Sequence, residues 1–188
     1  PLASLGGSLL QVSATLAICN EVVPPEADVQ AFRLTPNVSG SGLIEAIRGG
    51  DIRAREFVPP PGVSGRAHMV RSFEDSPLLR LRVGRFGWKA QLASVLSFSA
   101  DASQNEMGLT NRFLPAENAP NGNQALLAIC DGVPDPEDHP DGNGLHAIDH
   151  QANFQRLSAP PPQTPRSGMT GAVVFNDVGC ASCHVSTF

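Results

Sequence analysis

Near the C-terminal end the chain reads Cys180-Ala-Ser-Cys183-His184. Two thiols separated by two residues, with an imidazole directly after, form the C-x-x-C-H pattern of covalent haem attachment. At that separation each thiol reaches one vinyl group on the same porphyrin edge, and two thioethers form. The next histidine then lies beneath the ring with its imidazole aimed at the iron. Cys180, Cys183 and His184 are the expected cofactor-binding residues, and His184 is the expected proximal iron ligand. The competing readings are a thioredoxin-like C-x-x-C and half of a zinc site. Neither needs the trailing histidine, and a four-cysteine zinc site needs a second pair, whereas Cys19 and Cys130 stand isolated.

The elements that must position this motif lie immediately upstream. A helix is expected from roughly Gly168 to Val178, ending at Gly179 as a left-handed cap. Gly171-Ala-Val-Val-Phe175 followed by Gly179-Cys180 is similar to the amphipathic helix that leads into the attachment loop of cytochromes c. There the glycine permits close helix packing and the aromatic sits against the haem edge, which adds Phe175 to the cofactor-binding set. Thioether formation takes place on the outer side of the bacterial inner membrane, so a periplasmic or otherwise exported location is expected. An oxidising compartment favours a Cys19–Cys130 disulfide; two unpaired buried thiols are the alternative, because spacing does not give geometry.

Further upstream the chain is rich in punctuation, with 18 Gly and 17 Pro in 188 residues. Short elements joined by long loops are expected. Ser39 to Ile47 reads as a short helix stopped by Gly49-Gly50, and Pro59 to Gly62 as a firm break. Arg80 to Arg85 alternates like a short strand. From Ala90 to about Ser99, and on towards Met107, Leu92, Val95 and Leu96 recur at helical spacing. Pro115 to Gly144 reads as loop. Asp149 to Leu157 reads as a helix with Phe154 and Leu157 turned inward, and Pro160-Pro-Pro162 forbids its continuation. The fold class is therefore mainly α with long ordered loops. The net charge of -5 suggests neither a nucleic-acid footprint nor affinity for an anionic membrane surface. A cationic redox partner suits that sign, as does ordinary solubility. No apolar run reaches the ~20 residues of a membrane span. The sequence stops four residues after His184 and shows no signal-peptide pattern, so the expectation is a stretch of a longer polypeptide.

A series of strings precedes the haem motif in fixed order. Gly40-Ser-Gly-Leu-Ile-Glu-Ala-Ile47 is followed by Gly62-Val-Ser-Gly-Arg66 and Gly84-Arg-Phe-Gly-Trp-Lys-Ala-Gln91. Asn105-Glu-Met-Gly-Leu-Thr-Asn111 and Cys130-Asp-Gly-Val-Pro-Asp-Pro-Glu-Asp138 come next. Together they closely resemble the di-haem c-type oxidoreductases often labelled thiol oxidoreductases, which are related to bacterial di-haem cytochrome c peroxidases. The resemblance covers nearly the whole chain, and the Gly84–Gln91 string is its most specific part. It implies a loop-rich, cytochrome c-like di-haem peroxidase architecture, present only in part. Residues 1–166 would be the inter-haem region, and 167–188 the start of a C-terminal cytochrome c-like domain. In the peroxidase relatives one haem accepts electrons, a second meets peroxide, a tryptophan relays between them and a glutamate moves protons. Trp88 resembles that tryptophan. Glu106 resembles the acid of the relatives' Asn-Pro-x-Glu-Met motif, although Gln104-Asn105 lacks the proline. A lone tryptophan is otherwise a core residue and Glu106 a solvated helix carboxylate. The family's first haem motif lies N-terminal to this region, and the chain carries a single C-x-x-C-H.

A second axial ligand is sought among Met69, Met107, Met169, His68, His139, His146 and His150. Met107 is a weak candidate and suits packing better, while the histidines fall in polar, loop-like sequence that reads as surface. Asp131, Asp135, Glu137, Asp138 and Asp141 offer the hard oxygen ligands that calcium prefers, and the related enzymes hold calcium between domains. Their spacing matches no EF-hand, so a solvated acidic loop is the plainer reading. Two of the four cysteines are committed to haem, which leaves thiol chemistry little support. The expected function is an exported, peroxidase-like oxidoreductase passing electrons from the His184 haem through Trp88 to a second haem. Its partner would be an electron-donor protein or other redox subunits. The alternatives are a non-catalytic electron-transfer cytochrome subunit of a larger redox complex, and a structural subunit that has lost its second haem.

Overall fold

The structure of the chain, a computed structural model, describes residues 3–5, 7, 9–11, 13–76, 81–135, 139–162 and 170–184. Its helices are α1 Ser41–Ala46, α2 Gly49–Ala54, α3 Val95–Met107, α4 Gln124–Cys130, α5 Ala147–Leu157 and α6 Thr170–Asp177. Two-residue strands, β1 Met69–Val70 and β2 Arg82–Val83, pair antiparallel with Met69 opposite Val83. The protein is mainly α and loop-rich, as its composition and turn residues predict. No helix among the described residues is long and apolar enough to cross a membrane.

The chain forms two compact units. One comprises Pro1–Asn37 with Leu96–Asn153, the other Val38–Val95 with Phe154–Phe188. The first unit is stitched by a Cys19–Cys130 disulfide joining positions 111 residues apart, so the bridge takes precedence over two free thiols. Beside it, Asn121 donates to the Val22 carbonyl and accepts the Val22 N–H, both at 2.8 Å. Ser103 of α3 donates to Gln151 of α5 at 2.8 Å. The interior here is built from small residues: Ser97, Ser99, Ala100 and Ser103 of α3 and Ala152 of α5 are buried, with Ile148 the largest among them.

α3 ends at a left-handed glycine. Gly108 takes a positive φ of 69°, and Leu109 N–H reaches back to the Ser103 carbonyl at 2.8 Å. Buried Asn111 then holds the following turn, donating to the Ala100 carbonyl at 3.0 Å and accepting the Phe113 and Leu114 N–H groups at 3.2 Å.

In the second unit the Gly84–Gln91 string builds a tight loop closed by a bridge between Phe86 and Leu92. A Cβ on Gly84 would collide with the Ala90 carbonyl, and Gly87 and Ala90 take positive φ of 79° and 50°. Arg85 points into the unit and donates to the carbonyls of Ile47, Val83 and Ala93. Burial first, and then the neighbouring Arg82 charge, lower its pKa. α1 lies so close to the end of α5 that a Cβ on Gly42 would strike the Arg156 backbone.

Several elements depart from the sequence expectation. α3 starts at Val95 rather than Ala90, because Leu92 is consumed by the Phe86 bridge and Ala90 is left-handed. α1 already ends at Ala46, short of Gly49-Gly50, which instead open α2 after Arg48. The presumed loop from Pro115 to Gly144 contains α4, whose N-terminus is capped by the Asn123 side chain accepting the Leu126 N–H at 3.0 Å. On α5 the buried set is Ile148, Ala152 and Gln155, spaced by four and three, while Phe154 and Leu157 are exposed; starting the helix at Asp149 omitted Ile148 and so rotated the inward face. The strand-like reading holds for Arg82–Val83 only, and Arg80 and Gly168 lie outside the described residues.

Candidate functional site

α6 carries Val173, Val174 and Phe175, and all three are exposed. After Val178 the chain turns at Gly179, whose φ of 83° and ψ of 7° are left-handed, as the expected cap requires. A 3-10 turn from Cys180 to Ser182 follows. Ser182 N–H bonds the Gly179 carbonyl at 3.0 Å, while Cys183 and His184 N–H bond that of Cys180 at 3.1 and 3.0 Å. With about three residues per turn, positions i and i+3 come to one edge, which places both cysteines on the same side. Both thiols are exposed. The His184 imidazole meets the Phe175 ring edge-on, with centroids 6.1 Å apart.

The four local residues expected from sequence are thus gathered in one turn and the helix that feeds it. Two accessible thiols on one edge, an accessible imidazole and adjoining uncovered valine and phenylalanine side chains make a polar-and-apolar donor set that fits a haem.

Trp88 sits in the Gly84–Gln91 loop and is 49% exposed, so it is no core residue. Its neighbour Lys89 offers its carbonyl to His68 Nδ1 at 3.1 Å. Glu106 and Met107 are the last two residues of α3, and both are exposed. They belong to the first unit and Trp88 to the second. A carboxylate at a helix C-terminus faces the negative end of the helix dipole, where it is disfavoured. Glu106 is therefore not placed for the sake of the helix.

Of the further ligand candidates, Met69 is half-buried in β1, and Met169 lies outside the described residues. His139 is exposed. His146 is not a surface residue: it is half-buried at the start of α5, with its Nδ1 buried and without a hydrogen-bond partner among the described residues. His150 sits on α5, not in a loop, and its Nε2 lies 3.0 Å from Asp141.

Asp141 has a different task from the other acids of its stretch. It accepts the Leu145 and Asn143 N–H groups at 3.0 and 2.8 Å, which with His150 hold its carboxyl down at about 2. Asp131 and Asp135 instead approach Glu117, an acid the sequence reading missed. One carboxylate oxygen from each lies within 4.8 Å of the others, a spacing a hard cation tolerates. Exposed acids also gather this way without any ion, and nothing further is assigned to them. The signal for Glu117 was absent from local spacing, because the turns after α3 and the disulfide at Cys130 bring it there. Glu137 and Asp138 lie outside the described residues.

Comparison with known proteins gives one family: a model described as "Di-haem oxidoreductase, putative peroxidase" matches residues 25–188. No curated protein and no solved structure matches the chain.

Proposed function

The chain belongs to the di-haem oxidoreductase family, and from that premise we propose that it is part of an exported, peroxidase-like c-type cytochrome. The observation that carries this reading is the turn after α6, where Cys180, Cys183, His184 and Phe175 converge. When bound there, haem supplies a one-electron redox centre. Cys180 and Cys183 hold it by thioethers, His184 coordinates the iron, and Phe175 packs against its edge. Residues 167–188 then open a C-terminal cytochrome c-like domain, and 1–166 form the region between it and a second haem.

Trp88 relays electrons between the two haems. Its half-exposed indole supports this role, since a tryptophan kept at the surface is available to a redox group. Glu106 would hold and move a proton at the peroxide site, general acid–base help worth ~10²-fold or more. The Cys19–Cys130 disulfide supports export, because such bridges persist in oxidising compartments.

One observation favours a non-catalytic electron-transfer subunit instead. In the Asn105–Asn111 string Gly108 supplies a left-handed turn and Asn111 holds the next one, so these two residues need no catalytic explanation.

The two readings separate on the native full-length protein. Intact mass with a visible haem count should give two haems, and Cys180→Ser with Cys183→Ser should abolish attachment of one. Trp88→Phe and Glu106→Gln should then lower peroxide turnover at least ~10²-fold with the haem count unchanged. Peroxide turnover that is absent from the wild type, or untouched by both substitutions, favours the electron carrier.

A further inference from the structure

The net charge of -5 conceals a strong segregation. The unit formed by Pro1–Asn37 and Leu96–Asn153 holds 2 Lys/Arg against 12 Asp/Glu, net -10. The unit that holds the Cys180–His184 motif has 11 against 6, net +5.

Within that second unit five of the six acids are engaged with its own groups. Glu45 pairs with Arg156, Asp51 with Arg48, and Glu74 and Asp75 with Arg82. Glu56 accepts the Ala67 N–H at 2.7 Å. That last bond ties the stretch bearing Arg66 to the Arg55–Phe57 turn that continues α2. The contact of His68 with the Lys89 carbonyl ties in the loop of Trp88. Arg53, Arg55, Arg66 and Lys89 are all exposed on these joined stretches. Among the described residues no ion pair involves Arg53, Arg66 or Lys89. On the same stretches Phe57 exposes 77% of its surface. Arginines together with an exposed aromatic are the composition of a protein-binding face.

We propose that the surface bearing Arg53, Arg55, Arg66, Lys89 and the exposed Phe57 docks an acidic redox protein. The inference rests on the haem reading above and reverses the sign of partner suggested by the whole-chain charge. Complementary charge steers the encounter and gathers the donor beside the unit that holds the attachment motif. The exposed Phe57 ring supplies the apolar centre of the contact.

The test is stopped-flow reduction of the full-length holoprotein by a reduced acidic flavodoxin, used as a probe, and separately by a neutral photoreduced deazaflavin. Reduction by flavodoxin should slow at least ~10-fold between low and physiological ionic strength. The double variant Arg53→Glu/Arg66→Glu should slow it a further ~10-fold at low salt, while deazaflavin reduction is unchanged. A rate indifferent to salt and to the double reversal overturns the proposal. So does a lysine-rich cytochrome probe that reacts faster than flavodoxin with the opposite response to charge reversal. Sedimentation showing that low salt dimerises the wild type, and that the reversal abolishes the dimer, assigns the face to a second copy and also overturns it. If deazaflavin reduces no haem at all, it is the haem reading that fails.

Discussion

Glu45 accepts the Val95 N–H at 2.7 Å and pairs with the Arg156 guanidinium through both oxygens, at 2.6 and 3.1 Å. Burial pushes its carboxyl up, but the Arg156 and Val95 hydrogen bonds and the Arg156 charge together hold it below its ordinary value. A carboxyl lowered in the folded state binds fewer protons there than in the unfolded chain. Its stabilisation is complete above its unfolded value of 4.5 and disappears as pH falls through the folded one. Asp149, held down mainly by its Arg112 hydrogen bonds, acts with the same sign. Glu45→Gln should cost about 1–2 kcal/mol at neutral pH, since a partly exposed charged hydrogen bond is lost. Melting curves of the variant and the wild type should approach each other as pH is lowered below 4.5; a constant gap would assign the loss to packing. None of this was legible in the sequence, because Glu45 and Arg156 are 111 positions apart. The turn that gathers Cys180, Cys183 and His184 was legible because those residues are confined to five adjacent positions.

The Gly84–Gln91 loop shows what a specific string encodes at the level of an element. Gly84 clears the Ala90 carbonyl, Gly87 and Ala90 supply left-handed turns, and Arg85 ties three carbonyls together. Gly84→Ala should cost ~3 kcal/mol by forcing backbone apart. Gly62→Ala, where φ is a left-handed 77° but the space around it is open, should cost only ~1 kcal/mol. Urea unfolding of the two variants checks the difference; equal losses would show that the close approach at Gly84 costs no more than the left-handed backbone at Gly62. Sequence periodicity placed α5 and α6 well, because their patterns are bounded by prolines and Gly179. It missed α4, which is short and capped by an asparagine that reads equally well as a turn. It started α3 early, since Leu92 has helical spacing yet serves a bridge formed with Phe86.

At the scale of the whole molecule, the Cys19–Cys130 bridge encloses 111 positions of sequence separation. Closing so long a loop restricts the unfolded chain. Cys19→Ser with Cys130→Ser should therefore cost about 2–4 kcal/mol and lower Tm by ~5–15 °C. Calorimetry of the double variant tests this; an unchanged Tm would mean that the Glu21 and Asn121 hydrogen bonds already fix the first unit. The division into two units was not legible, because each is assembled from segments distant along the chain, and total charge hides their opposite signs.

The serine-rich interior around α3 carries a thermodynamic consequence. Ser97, Ser99 and Ser103 occupy fully or nearly fully buried positions where larger apolar side chains commonly sit. Unfolding exposes polar surface there, which lowers the heat capacity, in place of hydrocarbon, which raises it. The heat-capacity increment should fall below the usual ~12–15 cal/mol/K per residue. The curve of stability against temperature is then broad and shallow, with cold weakening this interior less than it would a hydrocarbon one.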